Sequence, residues 1–419
     1  METMQFSPGL RHDEGKESSI SNLRICDIVQ FHSPISGGIK RYITDKAKML
    51  RDFEQIEHCI IIPGEQDLQW NDGATMYYQI KSPLIPGSKS YRSFVQTGRI
   101  KEILDEFNPD LIEVADPYQS AWTAMQWAKQ NHARIMLFYH SDYPRAWHRT
   151  IRKWAPGVLA TGFQKAVDMY LRHTFEHADA LLVSTEKYER YWKARIKKPV
   201  LKVRLGFDPA KFHPHDHASS VRKTIGVKAD APLILFLGRL AKEKRIPILI
   251  EAFEKLKSRI PDTELLIVGD GEEQDSLLKL CERKHLKVHW LPFSSNPATL
   301  ASYYTAADAY AHPAKNETFG LSVLEALACG TPVVAFHQSG LEEACRNSPE
   351  SILVREGDID AFAHGIERAL ERKRDFAKRM QIHEAMKNKV SLQCTIDQLF
   401  AAYLKVYTDF PGRYTADAS

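Results

Sequence analysis

Two carboxylates, Glu317 and Glu325, bracket a glycine-containing turn in the stretch His312–Val334, HPAKNETFGLSVLEALACGTPVV. A helix starting near Phe319 or Gly320 leaves its first N–H groups without partners inside the helix, and such a start is a seat for phosphate oxygens. Glu325 then lies about one and a half turns into the helix, while Glu317 stays on the loop in front. Carboxylates accept hydrogen bonds from hydroxyls and repel phosphate unless cations intervene. The pair can therefore hold the two ends of a diphosphate-linked ligand. Glutamates are usually plain surface charge, so the neighbouring residues must decide.

A bond to a diphosphate leaves negative charge as it breaks, and something positive has to meet it. Arg239 and Lys244 stand five residues apart, after an apolar run and near the start of a helical pattern. The planar fork of Arg and the point charge of Lys can both reach one diphosphate. Gly37 and Gly38 follow the first apolar run and lead into another helical pattern, so their backbone can approach a ligand closely. His140 ends the run RIMLFY and is followed by Ser141 and Asp142. A histidine there can bond a hydroxyl through its ring or present its backbone carbonyl.

The stretch EtFGLsvlEAlAcGtPVVa resembles the signature of retaining glycosyltransferases of the family 4 type. Gly238-Arg239-Leu240 with Glu243-Lys244 resembles that family's GRL...EK segment, and Ile267–Glu272 its IVGdGe turn. Ser36-Gly37-Gly38-Ile39 with Arg41 resembles its glycine loop. The likeness runs in order from about residue 23 to about residue 407. The SGGIKRY segment, IIPGE, the stretch Ile85–Arg92, PDLIEVAD at 109–116 and His-Ser-Asp at 140–142 most resemble bacterial mannosyltransferase-like members that build glycolipids. Two departures stand out. Arg245 occupies a position where relatives usually carry glycine, which bears on the local turn, and Pro292 replaces the family's glycine in the nucleobase segment.

The resemblance implies a role for each of these positions. Glu317 binds sugar hydroxyls and Glu325 the ribose, with the N–H groups of Phe319, Gly320 and Leu321 near sugar and phosphates. Arg239 and Lys244 meet the diphosphate, Gly37 and Gly38 approach the donor, His140 lies at the active site, and the backbone of Leu291, Pro292 and Phe293 takes the base. The expected donor is a GDP- or UDP-sugar, a co-substrate rather than a cofactor. The expected acceptor is a glycolipid or other glycoside. Retention is expected, with an α-linkage. No second acid suits the nucleophile of a retaining hydrolase, so front-side departure and attack is the expected route. No metal is expected: the only Asp-x-Asp, Asp358-Ile359-Asp360, precedes a helical pattern and reads as an N-cap. A sugar-nucleotide epimerase on the same fold and a non-catalytic nucleotide-sugar-binding protein are the alternatives. A dinucleotide oxidoreductase would need a GxGxxG after the first strand, which the chain lacks.

The elements that must position these residues alternate. From residue 23 to about 208, short apolar runs at Leu23–Phe31, His58–Ile62, Leu111–Val114, Arg134–Tyr139, Ala180–Val183 and near Val200–Val203 separate amphipathic stretches. A second series has strands at Leu233–Leu237, Glu264–Val268, Val288–Leu291, Ala309–His312 and Pro332–Phe336. Strands alternating with helices predict βαβ units and parallel sheets, and the motifs fall at the carboxyl ends of strands, where such sheets bind ligands. The fold class expected is α/β, GT-B: two facing Rossmann-like domains with a cleft between them. The expected division is a disordered tail at 1–22, an acceptor-side domain at 23–210, a linker and entry at 211–231, a donor domain at 232–390, and at 391–419 a helix crossing back to the first domain plus a tail.

Length and composition agree with this division. A chain of 419 residues suits two domains better than one core. A net charge of +4, from 57 basic and 53 acidic residues, gives no reason to expect nucleic-acid binding. The six cysteines are scattered without metal-like spacing and read as reduced thiols of a cytoplasmic protein. No apolar run approaches the ~20 residues of a membrane span. The stretch 143–175 carries Arg145, Trp147, His148, Arg149, Arg152, Lys153, Trp154, Lys165 and Arg172. Basic residues beside tryptophans suit an anionic membrane surface, so the stretch has two readings of equal standing, peripheral association with the inner face of the membrane and an ordinary solvated helix.

Overall fold

The computed structural model describes residues 23–408 apart from 33–37, 87, 89, 145–146, 148–156, 316, 318, 338 and 372–374. The tail expected at 1–22 lies outside the described residues. The chain divides into two compact units, Met1–Arg204 with Ile396–Ser419, and Leu205–Thr395.

In the first unit eight strands form one sheet: β1 (Leu23–Ile28), β2 (Ile56–Gly64), β3 (Leu68–Asp72), β4 (Thr75–Lys81), β5 (Leu111–Val114), β6 (Arg134–Tyr139), β7 (Ala180–Val183) and β8 (Val200–Lys202). Their order is β3-β4-β2-β1-β5-β6-β7-β8, parallel except for β3, which runs antiparallel to β4. Strands β5 and β7 are buried at every residue, β7 as a continuous apolar run and β5 with one acid, Glu113, among its apolar residues. The hairpin β3–β4 was not among the expected strands. Its β3 residues are all exposed, so no apolar run marks it, but the two-residue turn after Asp72, with Gly73 at φ 66°, is the local signal.

The second unit holds β9 (Leu233–Leu237), β10 (Glu264–Val268), β11 (His289–Leu291), β12 (Ala309–His312), β13 (Val333–Phe336) and β14 (Ser351–Val354). These six run parallel in the order β11-β10-β9-β12-β13-β14. The direction of winding therefore reverses between β9 and β12, and the crevice outside the carboxyl ends at such a reversal is where doubly wound sheets bind ligands. Strand β14, Ser-Ile-Leu-Val, is half-buried at every residue and was not among the expected strands.

The segment 211–231, expected as a linker, belongs to the second unit. It contains the helix Ala218–Ile225, whose Arg222 is buried and donates to Ala306 O at 2.9 Å, Ala231 O at 2.7 Å and Asp308 Oδ2 at 2.6 Å. Polar composition disguised it, because one buried arginine rather than an apolar stripe stitches it in. The closing helix runs Leu392–Thr408, and its part beyond Ile396 packs in the first unit, where the Tyr403 hydroxyl donates to Glu113 Oε2 at 2.5 Å. Asp358 caps the helix Ile359–Leu370 by accepting from Ala361 N at 2.9 Å, as its spacing implies.

Candidate functional site

The loops after β9 and β10 are bonded to each other. Gly238 N–H donates to Val268 O at 3.0 Å, and Leu240 N–H to Asp270 O at 2.9 Å. Gly269, at φ 150°, allows this approach: a Cβ there would stand 2.0 Å from Gly238 O. Arg239 is thereby held at the rim of the strand ends. Its exposed guanidinium pairs with Glu243, whose backbone carbonyl accepts from Lys315 N at 2.9 Å. The turn Lys242–Lys244 follows, and Arg245 closes it in the left-handed region at φ 52°. The position where relatives carry glycine thus keeps a glycine-like conformation, and the two cations before it stay in place.

Lys244 Nζ lies 2.7 Å from Glu317 Oε2. Glu317 stands on the loop after β12, and the same oxygen is 3.4 Å from Nε2 of His312, the last residue of β12. Burial pushes the Glu317 carboxyl upward, but the Lys244 charge and the His312 imidazole outweigh it and hold the group well below the usual carboxylate range. Burial keeps His312 below its ordinary value, against the pull of Glu317. Its Nδ1 is 3.1 Å from the Tyr310 hydroxyl, which also lies 3.0 Å from Leu237 O and 2.9 Å from Ser322 Oγ. One tyrosine thus ties β9, β12 and the following helix together beneath the Lys244–Glu317 pair.

That helix is Leu321–Ala328, entered through Gly320 at φ 83° with no side-chain cap. Phe319 and Gly320 are buried, and a Cβ on Gly320 would stand 2.5 Å from Leu341 Cδ2. Glu325 is 4% exposed and accepts from the Tyr304 hydroxyl at 3.1 Å. It is therefore no surface glutamate. Pro292 and Phe293 are exposed beyond β11, and Phe293 N–H donates to Asp270 Oδ2 at 3.0 Å. The second unit thus brings Arg239, Lys244, Glu317, Phe319, Gly320, Leu321 and Glu325 onto the loops and helix start that follow β9 and β12. Leu291 ends β11 and Pro292 and Phe293 follow it, joined to the loop after β10. His312, Tyr310 and Tyr304 were missed from sequence. His312 stood five residues before Glu317 in the same stretch and could have been found; Tyr304 sits on a neighbouring helix and left no local signal.

The remaining expected residues lie in the first unit. Gly38 is exposed and begins the helix Gly38–Leu50; Gly37 lies outside the described residues. His140 follows β6, its ring stacked on Phe138 at 4.0 Å between centroids and 5.2 Å from Tyr42. Burial, with a smaller contribution from Lys46, pushes its imidazole down to about 3, so the ring is neutral near pH 7. Of the basic stretch 143–175, Arg145, His148, Arg149, Arg152, Lys153 and Trp154 lie outside the described residues. Trp147 is half-buried and donates to the Tyr118 hydroxyl at 3.0 Å, while Lys165 and Arg172 are exposed on the helix Gly157–Glu176. Among the described residues no helix is long and apolar enough to cross a membrane.

Residues 36–211 match the family described as Glycosyltransferase Family 4, and residues 219–389 that described as Glycosyl transferases group 1. Over 345 residues the chain is 27% identical to a GDP-mannose-dependent alpha-(1-6)-phosphatidylinositol dimannoside mannosyltransferase of Mycobacterium tuberculosis, covering 79% of this chain and 86% of that protein. It is 30% identical over 274 residues to a D-inositol 3-phosphate glycosyltransferase of Mycolicibacterium smegmatis, covering 63% of this chain and 59% of the other. A sucrose-phosphate synthase from Thermosynechococcus elongatus shares the fold, with TM-score 0.74 and 21% identity over 93% of this chain and all of that one.

Proposed function

The chain belongs to the glycosyltransferases with family 4 and group 1 domains in the GT-B fold, and we propose that it moves a mannosyl or glucosyl group from a GDP- or UDP-sugar to a hydroxyl of a lipid-linked or soluble glycoside, with retention and an α-linkage. The observation that carries this reading is the contact of Lys244 with Glu317 where the strand order reverses. A diphosphate-binding cation and a hydroxyl-binding carboxylate so close together match the two ends of a sugar–phosphate bond.

In this reading Arg239 and Lys244 meet the charge that grows on the departing diphosphate, in place of a metal ion. The amides of Phe319, Gly320 and Leu321 add N–H groups at the helix start. Glu317 holds sugar hydroxyls, Glu325 the ribose, and Leu291, Pro292 and Phe293 the base. Gly37 and Gly38 approach the donor, and His140 is an active-site residue. The anomeric carbon loses its bond to the phosphate oxygen and gains one to the acceptor oxygen on the same face, while the acceptor proton passes to the leaving phosphate. The Mycobacterium tuberculosis relative is named for GDP-mannose and a phosphatidylinositol dimannoside, which supports a mannosyl donor and a glycolipid acceptor. Exposed Phe163 and Met169 beside Lys165 and Arg172 support contact with an anionic membrane surface at its inner, cytoplasmic face.

A thermal-shift screen of UDP-, GDP- and ADP-sugars tests the reading, because a ligand that binds only the folded state raises its stability. A GDP- or UDP-hexose should raise Tm and release its nucleotide faster when a glycoside acceptor is present. No shift with any donor would overturn the proposal; release indifferent to acceptor would favour an epimerase.

A further inference from the structure

The first unit buries a network of charges and hydroxyls that none of the assignments above uses. Lys46, 0% exposed, bonds Asp27 Oδ1 at 2.7 Å and Glu113 Oε2 at 3.1 Å. The other oxygen of Asp27 is 2.6 Å from His58 Nε2. Glu113 stands on β5, next to β1 in the sheet. Its Oε1 accepts from the Tyr42 hydroxyl at 2.9 Å, and its Oε2 accepts from Tyr403 at 2.5 Å as well as from Lys46. Tyr42 and Lys46 lie four residues apart on the helix that begins at Gly38, so one carboxylate anchors one face of that helix.

Tyr42 is also the link to His140. Its ring is 5.1 Å from Phe138 and 5.2 Å from His140, and His140 stacks on Phe138. The imidazole therefore rests in a corner of two rings, one of which is fixed at its far end by Glu113. Tyr403 reaches that carboxylate from the closing helix, 290 residues away in the chain. The helix already has Ile396, Leu399 and Val406 buried, and phenylalanine would serve its packing better than a hydroxyl placed among charges.

We infer that Tyr403 is a positioning residue for His140, acting through Glu113 and the Tyr42 ring, so that the closing helix sets the register of the active-site histidine and of the helix at the glycine loop. This rests on the reading of His140 as an active-site residue. Without the Tyr403 hydroxyl, Glu113 Oε2 keeps Lys46 as its partner, the carboxylate settles toward that charge, and the Tyr42 hydroxyl on Oε1 shifts with it, moving the ring.

The test uses the full chain and Tyr403→Phe, which keeps the ring and removes only the hydroxyl. Turnover is measured with GDP-mannose or UDP-glucose, whichever the thermal screen selects. The position of His140 is read from its ring Cε1–H resonance in histidine-labelled protein, assigned by its loss in His140→Ala. The expected result is a roughly tenfold fall in kcat, donor KM within about twofold of wild type, and a displaced His140 resonance. Tyr42→Phe, which cuts the next link, should act in the same direction and substitutes if Tyr403→Phe does not fold. Wild-type kcat with an unmoved resonance, whatever happens to Tm, overturns the role of Tyr403 alone when His140→Ala is inactive. Full turnover in His140→Ala overturns the role of His140 and that of Tyr403 with it.

Discussion

Lys244 and Glu317 touch at 2.7 Å although 73 residues separate them in the chain. Each takes its place from a different strand end, Lys244 from the turn after β9 and Glu317 from the loop after β12, and those two strands are neighbours in the sheet. Any anion brought to Lys244 must share it with Glu317. Binding of the donor and placement of its sugar are thereby coupled through one contact.

Exchanging Glu317 for glutamine removes the charge and keeps the shape. We expect Glu317→Gln to lose about 10²–10³ in kcat while still binding the nucleoside diphosphate, because Lys244 is then released to the phosphate. Lys244→Ala should weaken both, raising the Kd for nucleotide by roughly tenfold. Calorimetric titration with GDP and UDP, beside turnover, checks the pair; unchanged turnover in Glu317→Gln would remove it from the catalytic assignment.

Asp116 provides the pH test. It is buried, accepts from Gln30 N at 2.8 Å, and burial raises its carboxyl to about 7 despite the backbone and Tyr143 hydrogen bonds. A folded value above the unfolded one means that stability is complete at low pH and lost as pH rises toward 7, because the unfolded chain ionises first. Asp116→Asn should therefore gain on wild type between pH 5 and pH 8, as checked by urea unfolding at about those two values. A gap that does not change with pH would show that Asp116 does not titrate in this range.

Gly269 carries the geometry of the cationic loop. A methyl group added there meets the Gly238 carbonyl at 2.0 Å, and φ 150° disfavours any side chain. Gly269→Ala is expected to cost about 3 kcal/mol and to misplace Arg239. Denaturant unfolding reads the first effect, and a raised KM for donor reads the second. Gly226, at φ 77° but with nothing within 4 Å of an added Cβ, serves as the comparison: its alanine variant should be strained yet leave KM unchanged.

What could be read from sequence follows the range of the interactions. The strands β5, β6, β7, β9, β10 and β12 were placed residue for residue, because a strand covered on both faces is a run of apolar residues and needs nothing else to be recognised. The exposed β3 carries no such run, and the half-buried β14, at the edge of its sheet, carries only Ile352, Leu353 and Val354. The acids, cations and glycines of the second unit were legible as motifs, since each lies on one short loop. Partnership was not. Nothing local tells that Lys244 meets Glu317, that Glu325 is buried under Tyr304, or that Tyr403 reaches Glu113, because each pair is joined only by the order of strands or the path of the closing helix.

Glu325 separates ligand binding from structure through its partner. Its Oε2 accepts from the Tyr304 hydroxyl at 3.1 Å, and both residues are buried. If Glu325 takes the ribose hydroxyls, Tyr304 holds the carboxylate in the orientation that does so. Glu325→Gln should then raise the Kd for nucleoside diphosphate by about tenfold, since hydrogen bonds to a charged acceptor contribute ~1.5–3 kcal/mol. Tyr304→Phe leaves the charge in place and should raise it by about threefold, with a Tm loss of similar size in both variants because each disturbs the same buried bond. A nucleoside diphosphate whose ribose lacks the 2′-hydroxyl supplies the control: it should bind wild type more weakly and bind Glu325→Gln with little further loss. Equal losses for the two nucleotides in both backgrounds would assign Glu325 to the packing of its helix instead.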